Sequence, residues 1–315
     1  MDFLLPSFSS DPLSRRSVLI RLLCPPVIGI AAGTGGLSAH AQTATSAAGA
    51  STAKPRLISL GGGLTEVVYA LGAERWLVGT DTTSVYPAAA QNTAKVGYLR
   101  SLSAEGLLAL RPTALVASSE AGPPVVLDQL RAAGVHIELV QADHTWAEVQ
   151  RKVIAVGRAT QQEASAQQYG RTLESQWQTV MARIRPATGP QAPKVLFILS
   201  HSGSPMVSGE GTAADAIIRL IGARNALTGF KGYRPMTAEA MAAAAPDTIL
   251  TTTQGLEAMG GSAQFWSRPE LQLTPAWRQR TSERALVHRD ALELLGFTPR
   301  MPSLVEQLHR QLVQT

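Results

Sequence analysis

The chain has 315 residues, of which 45% are hydrophobic and 16% are charged. This length and composition suit about two globular domains with sizeable cores and exclude a wholly disordered chain. Lys and Arg number 28 against 23 Asp and Glu, a net charge of +5, which is too small and too scattered to indicate nucleic-acid binding. The single cysteine, Cys24, excludes an internal disulfide bond and a thiolate metal cluster.

Residues 1–41 predict a signal peptide of the twin-arginine type. Arg15 and Arg16 precede a short, mildly apolar stretch, and Ala39-His40-Ala41 matches a small-x-small cleavage site. An arginine and two prolines interrupt the apolar run, so it is too short for a spanning helix. A disordered tail that contains two arginines is the alternative. We therefore expect export to the periplasm, with residues 42–54 as a flexible lead-in.

From residue 55 onward, short apolar runs alternate with helical periods, a pattern typical of parallel βαβ units. Residues 55–145 predict a first α/β lobe, residues 186–315 a second one, and residues 146–185 a long interlobe helix with at most one break. The predicted strands lie at 56–60, 76–79, 114–117, 137–140, 194–199, 248–252 and 285–287. The predicted fold class is α/β, with two pseudo-symmetric lobes that have central parallel sheets and are joined by a single long helix.

A sequence repeat relates the two predicted lobes. Leu102–Thr113 and Met236–Asp247 both begin with an apolar residue, then Ser or Thr, Ala and Glu, and both reach a proline shortly before a strand. In each segment the hydroxyl is placed to cap a short helix, and the acid favours the positive end of that helix. The repeat favours pseudo-symmetric lobes, although capping chemistry alone makes such segments common.

No motif in the sequence indicates an enzyme. A Gly-x-Ser-x-Gly elbow, an HExxH helix, a Walker loop and a GxGxxG turn after a strand are all missing. Ser200-His201-Ser202 combines a base with nucleophiles, but adjacent residues in one turn lack the geometry of a catalytic pair. Catalysis is therefore unsupported, and an exported hydrolase or chelatase is the remoter alternative.

The segment Thr82–Pro87 follows the second predicted strand, at the edge where an α/β sheet presents its ligand crevice. Pro87 favours an extended Tyr86, which suits a side chain that points into a cleft. From composition alone, a tyrosine packed on a loop is the simpler interpretation.

The motifs at residues 62–72, 78–87 and 96–100, followed by the Ser-Ala-Glu segment, resemble the haem (haemin) substrate-binding proteins of bacterial ABC importers. The likeness extends over about residues 56–312. The early motifs belong to a wider group that also binds corrinoids and ferric siderophores. Thr-Ser-x-Tyr-Pro, Gly-Tyr-x-Arg, and Leu-Ser-His followed by Pro-Met-Val-Ser-Gly are more typical of the haem branch. The resemblance implies a protein that is not an enzyme and that delivers ferric haem to a permease of two transmembrane subunits.

The resemblance also implies roles for individual residues. Tyr86 stands where the family has the tyrosine that ligates the ferric iron, and a phenolate is a hard donor suited to Fe(III). Arg234 is the implied cationic partner of Tyr86. A free phenol has a pKa of ~10, so a phenolate ligand at neutral pH needs the metal and preferably a nearby cation to hold its negative charge. His201 is a candidate for a second axial ligand or for the cleft wall. The other implied pocket residues are propionate-binding Arg100 and Lys231 and pocket-lining Tyr98, Met206, Tyr233 and Met236.

Glu105 and Glu239 occupy equivalent positions in the sequence repeat. The resemblance implies that both dock onto arginines of the permease, although a glutamate near a helix cap also stabilises the helix by itself. We expect a periplasmic monomer for haem and iron uptake that contacts the inner membrane only through the permease. The nearest alternative is a binder of a ferric siderophore or a corrinoid, which would not need Tyr86 as a metal ligand.

Overall fold

The apolar runs of the first lobe form a fully parallel sheet of four strands. The strands are β1 (Leu57–Leu60), β2 (Leu77–Thr80), β3 (Ala114–Ser118) and β4 (His136–Val140), in the order β2-β1-β3-β4. The central strands β1 and β3 are buried along their whole length, which explains why their sequences are continuous apolar runs. The computed structural model describes residues 55–184, 192–200 and 204–313. The predicted signal peptide, the lead-in, Cys24 and His201 lie outside these residues.

The second sheet is mixed. Its strands are β5 (Lys194–Leu199), β6 (Met206–Ser208), β7 (Arg224–Asn225), β8 (Tyr233–Pro235), β9 (Thr248–Thr252) and β10 (Leu286–Arg289). β10, β9 and β5 pair in parallel, as predicted, and the two-residue strand β7, which was not predicted, pairs in parallel with β5. β6 and β8 extend the sheet as an antiparallel ribbon. The sequence did not predict this ribbon, because three residues are too few to show a strand period.

Helices cover both sheets. They are α1 (Gly62–Ala70), α2 (Ala104–Leu108), α3 (Pro124–Ala132), α4 (Trp146–Ala159), α5 (Glu163–Met181), α6 (Ala213–Leu220), α7 (Ala238–Ala244), α8 (Thr253–Ala258), α9 (Gly261–Trp266), α10 (Pro275–Arg278), α11 (Ala291–Leu295) and α12 (Met301–Leu312). The repeat predicted two capped helices, and the structure confirms them. Ser103 caps α2 and Thr237 caps α7 through their hydroxyls. Among the described residues, no helix combines the length and the apolar character that a membrane span requires.

The segment predicted as a long interlobe helix over residues 146–185 has the one break that the sequence allowed, but the break reverses the chain direction instead of leaving one long rod. The chain forms two helices, α4 and α5, with a break at residues 160–162, where Gln161 has a φ of 54°. The two helices are antiparallel, because Trp146 at the start of α4 stacks on Trp177 near the end of α5, with ring centroids 4.6 Å apart. A Cβ on Gly157 would lie 2.4 Å from the Cβ of Ala166, so glycine permits the close approach. Residues 160–162 themselves include neither proline nor glycine, so the sequence there does not indicate a reversal.

Helix α5 packs into the hydrophobic cores of both lobes. Ala166 and Leu173 belong to the core formed with β1, β3 and α1, whereas Trp177 and Val180 belong to the core formed with β5, β9 and α12. The α4–α5 hairpin is therefore the element that the two lobes share. The exact lobe limits at residues 145 and 186 stay a prediction.

Candidate functional site

Tyr86 lies on a loop that is fixed at the carboxyl end of β2 by a buried carboxylate. Asp81 has no exposed surface. Its Oδ1 accepts hydrogen bonds from the Gly61 N–H at 2.9 Å and from the Ser84 hydroxyl at 2.7 Å. Its Oδ2 accepts from the Thr83 N–H at 3.1 Å and from the Thr83 hydroxyl at 2.6 Å. The polar residues of the Asp-Thr-Thr-Ser run thus fix the loop to the turn that begins α1.

A lysine holds the other side of the same loop. Lys95 Nζ donates to the Thr80 hydroxyl at 2.9 Å and to the carbonyl oxygens of Ser84 at 2.8 Å and Ala90 at 3.0 Å. Burial lowers the pKa of Lys95, and the negative charge of Asp81 opposes this shift. Because both sides are bonded to fixed groups, the backbone before Tyr86 is set before any ligand arrives.

Tyr86 itself is 43% exposed, and an arginine from the distant end of the chain covers one face of its ring. Arg300 Cζ lies 3.9 Å from the ring centroid. The Arg300 Nε lies 3.1 Å from both carboxylate oxygens of Glu66, and its Nη2 lies 3.0 Å from one of them. Sequence reasoning missed Arg300, because no local pattern indicates an ion pair across 234 residues.

Glu66 and Arg300 form a partly buried ion pair. The side chain of Glu66 is 6% exposed and that of Arg300 is 25% exposed. Burial raises the pKa of Glu66, although the hydrogen bond and charge of Arg300 oppose the shift. Burial would lower the pKa of Arg300, but the hydrogen bond and charge of Glu66 outweigh it and raise that pKa. Arg300 therefore stays charged beside the Tyr86 ring.

The second exposed tyrosine of this edge, Tyr98, has its own arginine. The Thr82 N–H donates to the Gly97 carbonyl at 3.0 Å, which places the Tyr98 loop beside the Tyr86 loop. Tyr98 is 44% exposed, and its hydroxyl accepts a hydrogen bond from Arg100. Arg100 Nη2 also pairs with Glu120 at 2.6 Å. The structure thus brings Tyr86, Tyr98 and Arg100 to one edge of the first sheet.

The candidates of the second lobe collect on and around the β6–β8 ribbon. Met206 pairs with Pro235 and Val207 with Arg234 in the antiparallel register. Arg234 is exposed and its Cζ lies 4.3 Å from the ring centroid of Phe230, so in this structure Arg300 rather than Arg234 covers Tyr86. Tyr233 is half-buried, and its burial raises its pKa.

The remaining ribbon candidates differ in exposure. Lys231 is exposed and Met236 is half-buried, with the Met236 N–H donating to the Pro205 carbonyl at 2.8 Å. His201, between β5 and β6, lies outside the described residues. Methionine and aromatic side chains on such a ribbon offer apolar, adaptable surface.

The second lobe approaches the first closely at the start of α1, and a buried lysine of α4 forms hydrogen bonds to the second lobe nearby. A Cβ on Gly62 would lie 2.5 Å from the Leu292 side chain and from the Thr83 carbonyl oxygen. Lys152, which is 5% exposed, donates to the carbonyl oxygens of Gly296 at 2.8 Å and Phe297 at 3.0 Å. Glu148 pairs with the same ammonium group at 2.6 Å. The glycines after β1 are therefore needed where the second lobe approaches.

Glu105 and Glu239 are exposed in the first turns of α2 and α7. Each is two residues past the hydroxyl that caps its helix. The equivalence predicted from the repeat therefore holds in local structure, one acid on each lobe.

Comparisons with known proteins agree with this architecture. A family model described as periplasmic binding protein matches residues 57–281. The solved structure of the periplasmic heme-binding protein BhuT in complex with two hemes is 44% identical, covers 82% of this chain and 97% of that chain, and has a TM-score of 0.75.

Two curated relatives are more distant. An uncharacterized ABC transporter substrate-binding lipoprotein of Bacillus subtilis, YvrC, is 27% identical over 62% of this chain and 63% of its own length, so the chain spans less than two thirds of that protein. A vitamin B12-binding protein of Yersinia pestis is 24% identical over 82% of this chain and 91% of its own length. The fold is thus the two-lobe fold of the first comparison.

Proposed function

We propose a transport function because the chain belongs to the periplasmic binding protein family. It is a substrate-binding protein rather than an enzyme. Its proposed ligand is ferric haem, held between the lobes with the iron on the Tyr86 hydroxyl oxygen, and its proposed role is delivery of haem to an ABC permease. The observation that supports this best is a half-exposed tyrosine on a rigidly bonded loop with a cation against its ring.

The chemistry of this arrangement suits a ferric ligand. A phenolate is a hard anionic donor and one of the axial ligands that haem proteins use. A nearby cation complements the negative charge of an iron-bound phenolate, and Arg300 Cζ lies 3.9 Å from the ring centroid. Haem also requires broad apolar walls, and the 44% identity with a heme-binding protein supports haem over smaller chelates.

The test is a visible-absorption titration of the protein with ferric haem. We expect saturable binding with a phenolate-to-iron charge-transfer band in the wild type and no such band in Tyr86→Phe. Tyr98→Phe is the matched comparison, because Tyr98 lies on the same edge and is equally exposed, at 44% against 43%. A band that survives in Tyr86→Phe but disappears in Tyr98→Phe would transfer the ligand role to Tyr98. A protein without haem binding would refute the proposed function.

The second lobe is proposed as the opposite wall of the cleft. We assign Met206, Tyr233 and Met236 to the porphyrin face and His201 to the second side of the iron. Arg100 and Lys231 are assigned to the propionates, since guanidinium and ammonium groups bind carboxylates by charge-assisted hydrogen bonds. Arg234 is assigned to Tyr86 in the haem-loaded protein. Unchanged affinity and unchanged transfer to the permease in Arg234→Ala would contradict the last assignment.

Glu105 and Glu239 are proposed to dock the loaded protein onto the permease. Both are exposed, at equivalent places on the two lobes. Glu105→Lys and Glu239→Lys should leave the haem titration unchanged and lower haem-dependent ATPase activity of the reconstituted transporter. Equal ATPase activity in the wild type and the double variant would exclude this docking surface.

Vitamin B12 is the second candidate ligand, because a vitamin B12-binding protein matches 82% of the chain. Titration with cyanocobalamin under the same conditions separates the two. If cyanocobalamin binds equally well to the wild type and to Tyr86→Phe, and haem does not bind, the corrinoid is favoured.

We also propose that the chain is exported by the twin-arginine route. Replacing Arg15 and Arg16 together by lysine should abolish its appearance in the periplasmic fraction.

A further inference from the structure

Arg300 reaches the ring of Tyr86 from the second lobe. It lies directly before α12, whose residues Leu304, Val305 and Leu308 are buried in the core of that lobe. Its two partners, Glu66 in α1 and Tyr86 after β2, both belong to the first lobe. One guanidinium group therefore joins the candidate iron ligand to a buried acid across the contact between the lobes.

The edge and the face of the Arg300 guanidinium group have different partners. Its edge is bound to Glu66, with Nε 3.1 Å from each carboxylate oxygen and Nη2 3.0 Å from one. Its face stacks on Tyr86, with Cζ 3.9 Å from the ring centroid. A planar group held by a carboxylate along one edge has little freedom to rotate. The orientation of the face over Tyr86 is therefore set by Glu66, which has its own side chain 6% exposed.

We propose that Arg300 is a positioning residue for Tyr86, held in place by Glu66, that orients the phenol ring and supplies the positive charge beside it. This rests on the proposed function of Tyr86 as the iron ligand. A cation over an aromatic face is attracted by the ring, more so when it is shielded from water. With Arg300 on one face of its ring, Tyr86 still has 43% of its surface exposed.

Two other roles for Arg300 make different predictions. A propionate-binding arginine would contribute to haem affinity whether or not residue 86 has a hydroxyl. An arginine that only ties the lobes together would change stability and lobe opening, again independently of the Tyr86 hydroxyl. A positioning residue acts through Tyr86, so its effect must disappear when Tyr86 no longer binds iron.

The experiment is a double-variant cycle with wild type, Arg300→Gln, Tyr86→Phe and the combined variant. Each protein is loaded with ferric haem, and the release rate is measured by transfer to excess apomyoglobin. We expect Arg300→Gln to release haem about tenfold faster and to shift the charge-transfer band of the iron-bound phenolate. In the Tyr86→Phe background, the same substitution should change the release rate less than about twofold.

Three further variants separate the charge of Arg300 from its planar shape, test the role of Glu66 and provide a matched control. Arg300→Lys keeps the charge but not the planar fork, so it should recover part of the loss and leave the band broader than in the wild type. Glu66→Gln should accelerate release less than Arg300→Gln does and should add nothing to it in combination. Arg310→Gln is the matched control, because Arg310 is an exposed arginine on α12 that pairs with Glu306 at 3.9 Å.

The outcomes separate the inference from the proposed function. If the wild type shows the charge-transfer band and Tyr86→Phe does not, the proposed function stands. An equal effect of Arg300→Gln in both backgrounds would then overturn the positioning role alone, as would an unchanged band and release rate in Arg300→Gln. A wild type without the band overturns both.

Discussion

The two edges that face each other across the proposed cleft are held in different ways. On the first lobe, the loop before Tyr86 is bonded to Asp81, which has no exposed surface, and to the ammonium group of Lys95. On the second lobe, the edge is a ribbon of two three-residue strands, whose Arg234 is exposed and contacts the ring of Phe230. The proposed iron ligand thus lies on the edge that hydrogen bonds already fix, whereas the facing edge is a short ribbon with an exposed arginine.

Removing the buried carboxylate of Asp81 should lower the free energy of unfolding more than any other change considered for the two edges. Asp81→Asn replaces one accepting oxygen by an NH₂ group that faces donors, so at least two of the four hydrogen bonds are lost. We expect the free energy of unfolding to fall by about 3 kcal/mol in urea denaturation of the haem-free protein. Asp128→Asn is the control, since Asp128 is 72% exposed and should change stability by less than about 0.5 kcal/mol. Equal stabilities of the two variants would mean that this edge is not held as described.

A methyl group at Gly62 should have the next largest effect. The Cβ of Gly62→Ala would lie 2.5 Å from the Leu292 side chain and from the Thr83 carbonyl oxygen, so the backbone at Thr83 and the Leu292 side chain must both shift. We expect a loss of about 2 kcal/mol by thermal denaturation. In Gly170→Ala the new Cβ would only reach ordinary contact with Val153 at 3.9 Å, and this variant should be neutral or stabilised by up to about 1 kcal/mol. A Gly62→Ala protein as stable as the wild type would contradict the close packing of Thr83 and Leu292 around this glycine.

The ion pair between the lobes gives a smaller, pH-dependent effect. Because burial raises the pKa of Glu66 above its ordinary value of 4.5, the folded chain holds this proton more tightly than the unfolded chain does. The stability contributed by Glu66 therefore falls as the pH rises from 4.5 through the raised pKa. The difference in unfolding free energy between the wild type and Glu66→Gln should therefore decrease as the pH rises across this window. A constant difference over the same series of buffers would contradict it.

The smallest effect is expected on the second edge. Arg234→Gln removes an exposed side chain whose described contact is with the ring of Phe230. The unfolding free energy of the haem-free protein should change by less than about 0.5 kcal/mol. A loss above 1 kcal/mol, as large as that expected for some buried contacts, would remove the contrast between the two edges.

The sequence predicted the strands well because buried parallel strands are continuous apolar runs. The bounds of β5 and β9 match the predictions, and β1 and β3 differ by one residue at an end. It did not predict the chain reversal at residues 160–162, where Gln161 adopts a left-handed φ of 54° and the break itself contains no glycine or proline. The reversal there is imposed by packing of α5 on α4, which is a tertiary effect that local propensity does not contain.

The candidate site shows the same division between local and distant information. Tyr86 could be proposed from the sequence because the loop motif that resembles the haem branch is contiguous. The buried positions of Asp81 and Ser84 explain why that motif contains short polar residues. Arg300 was not found because its partner Glu66 lies 234 residues away. Contacts of this kind become visible only when the chain is folded.

The shared helix has a consequence for how such a molecule can be rebuilt. Since α5 contributes Ala166 and Leu173 to one core and Trp177 and Val180 to the other, its two halves cannot be separated without opening a hydrophobic core. The lobes are therefore not interchangeable modules, although each has its own sheet. A chimaera that exchanges one lobe with a relative's should fold only if the whole of residues 146–181 is transplanted with the core that it fills.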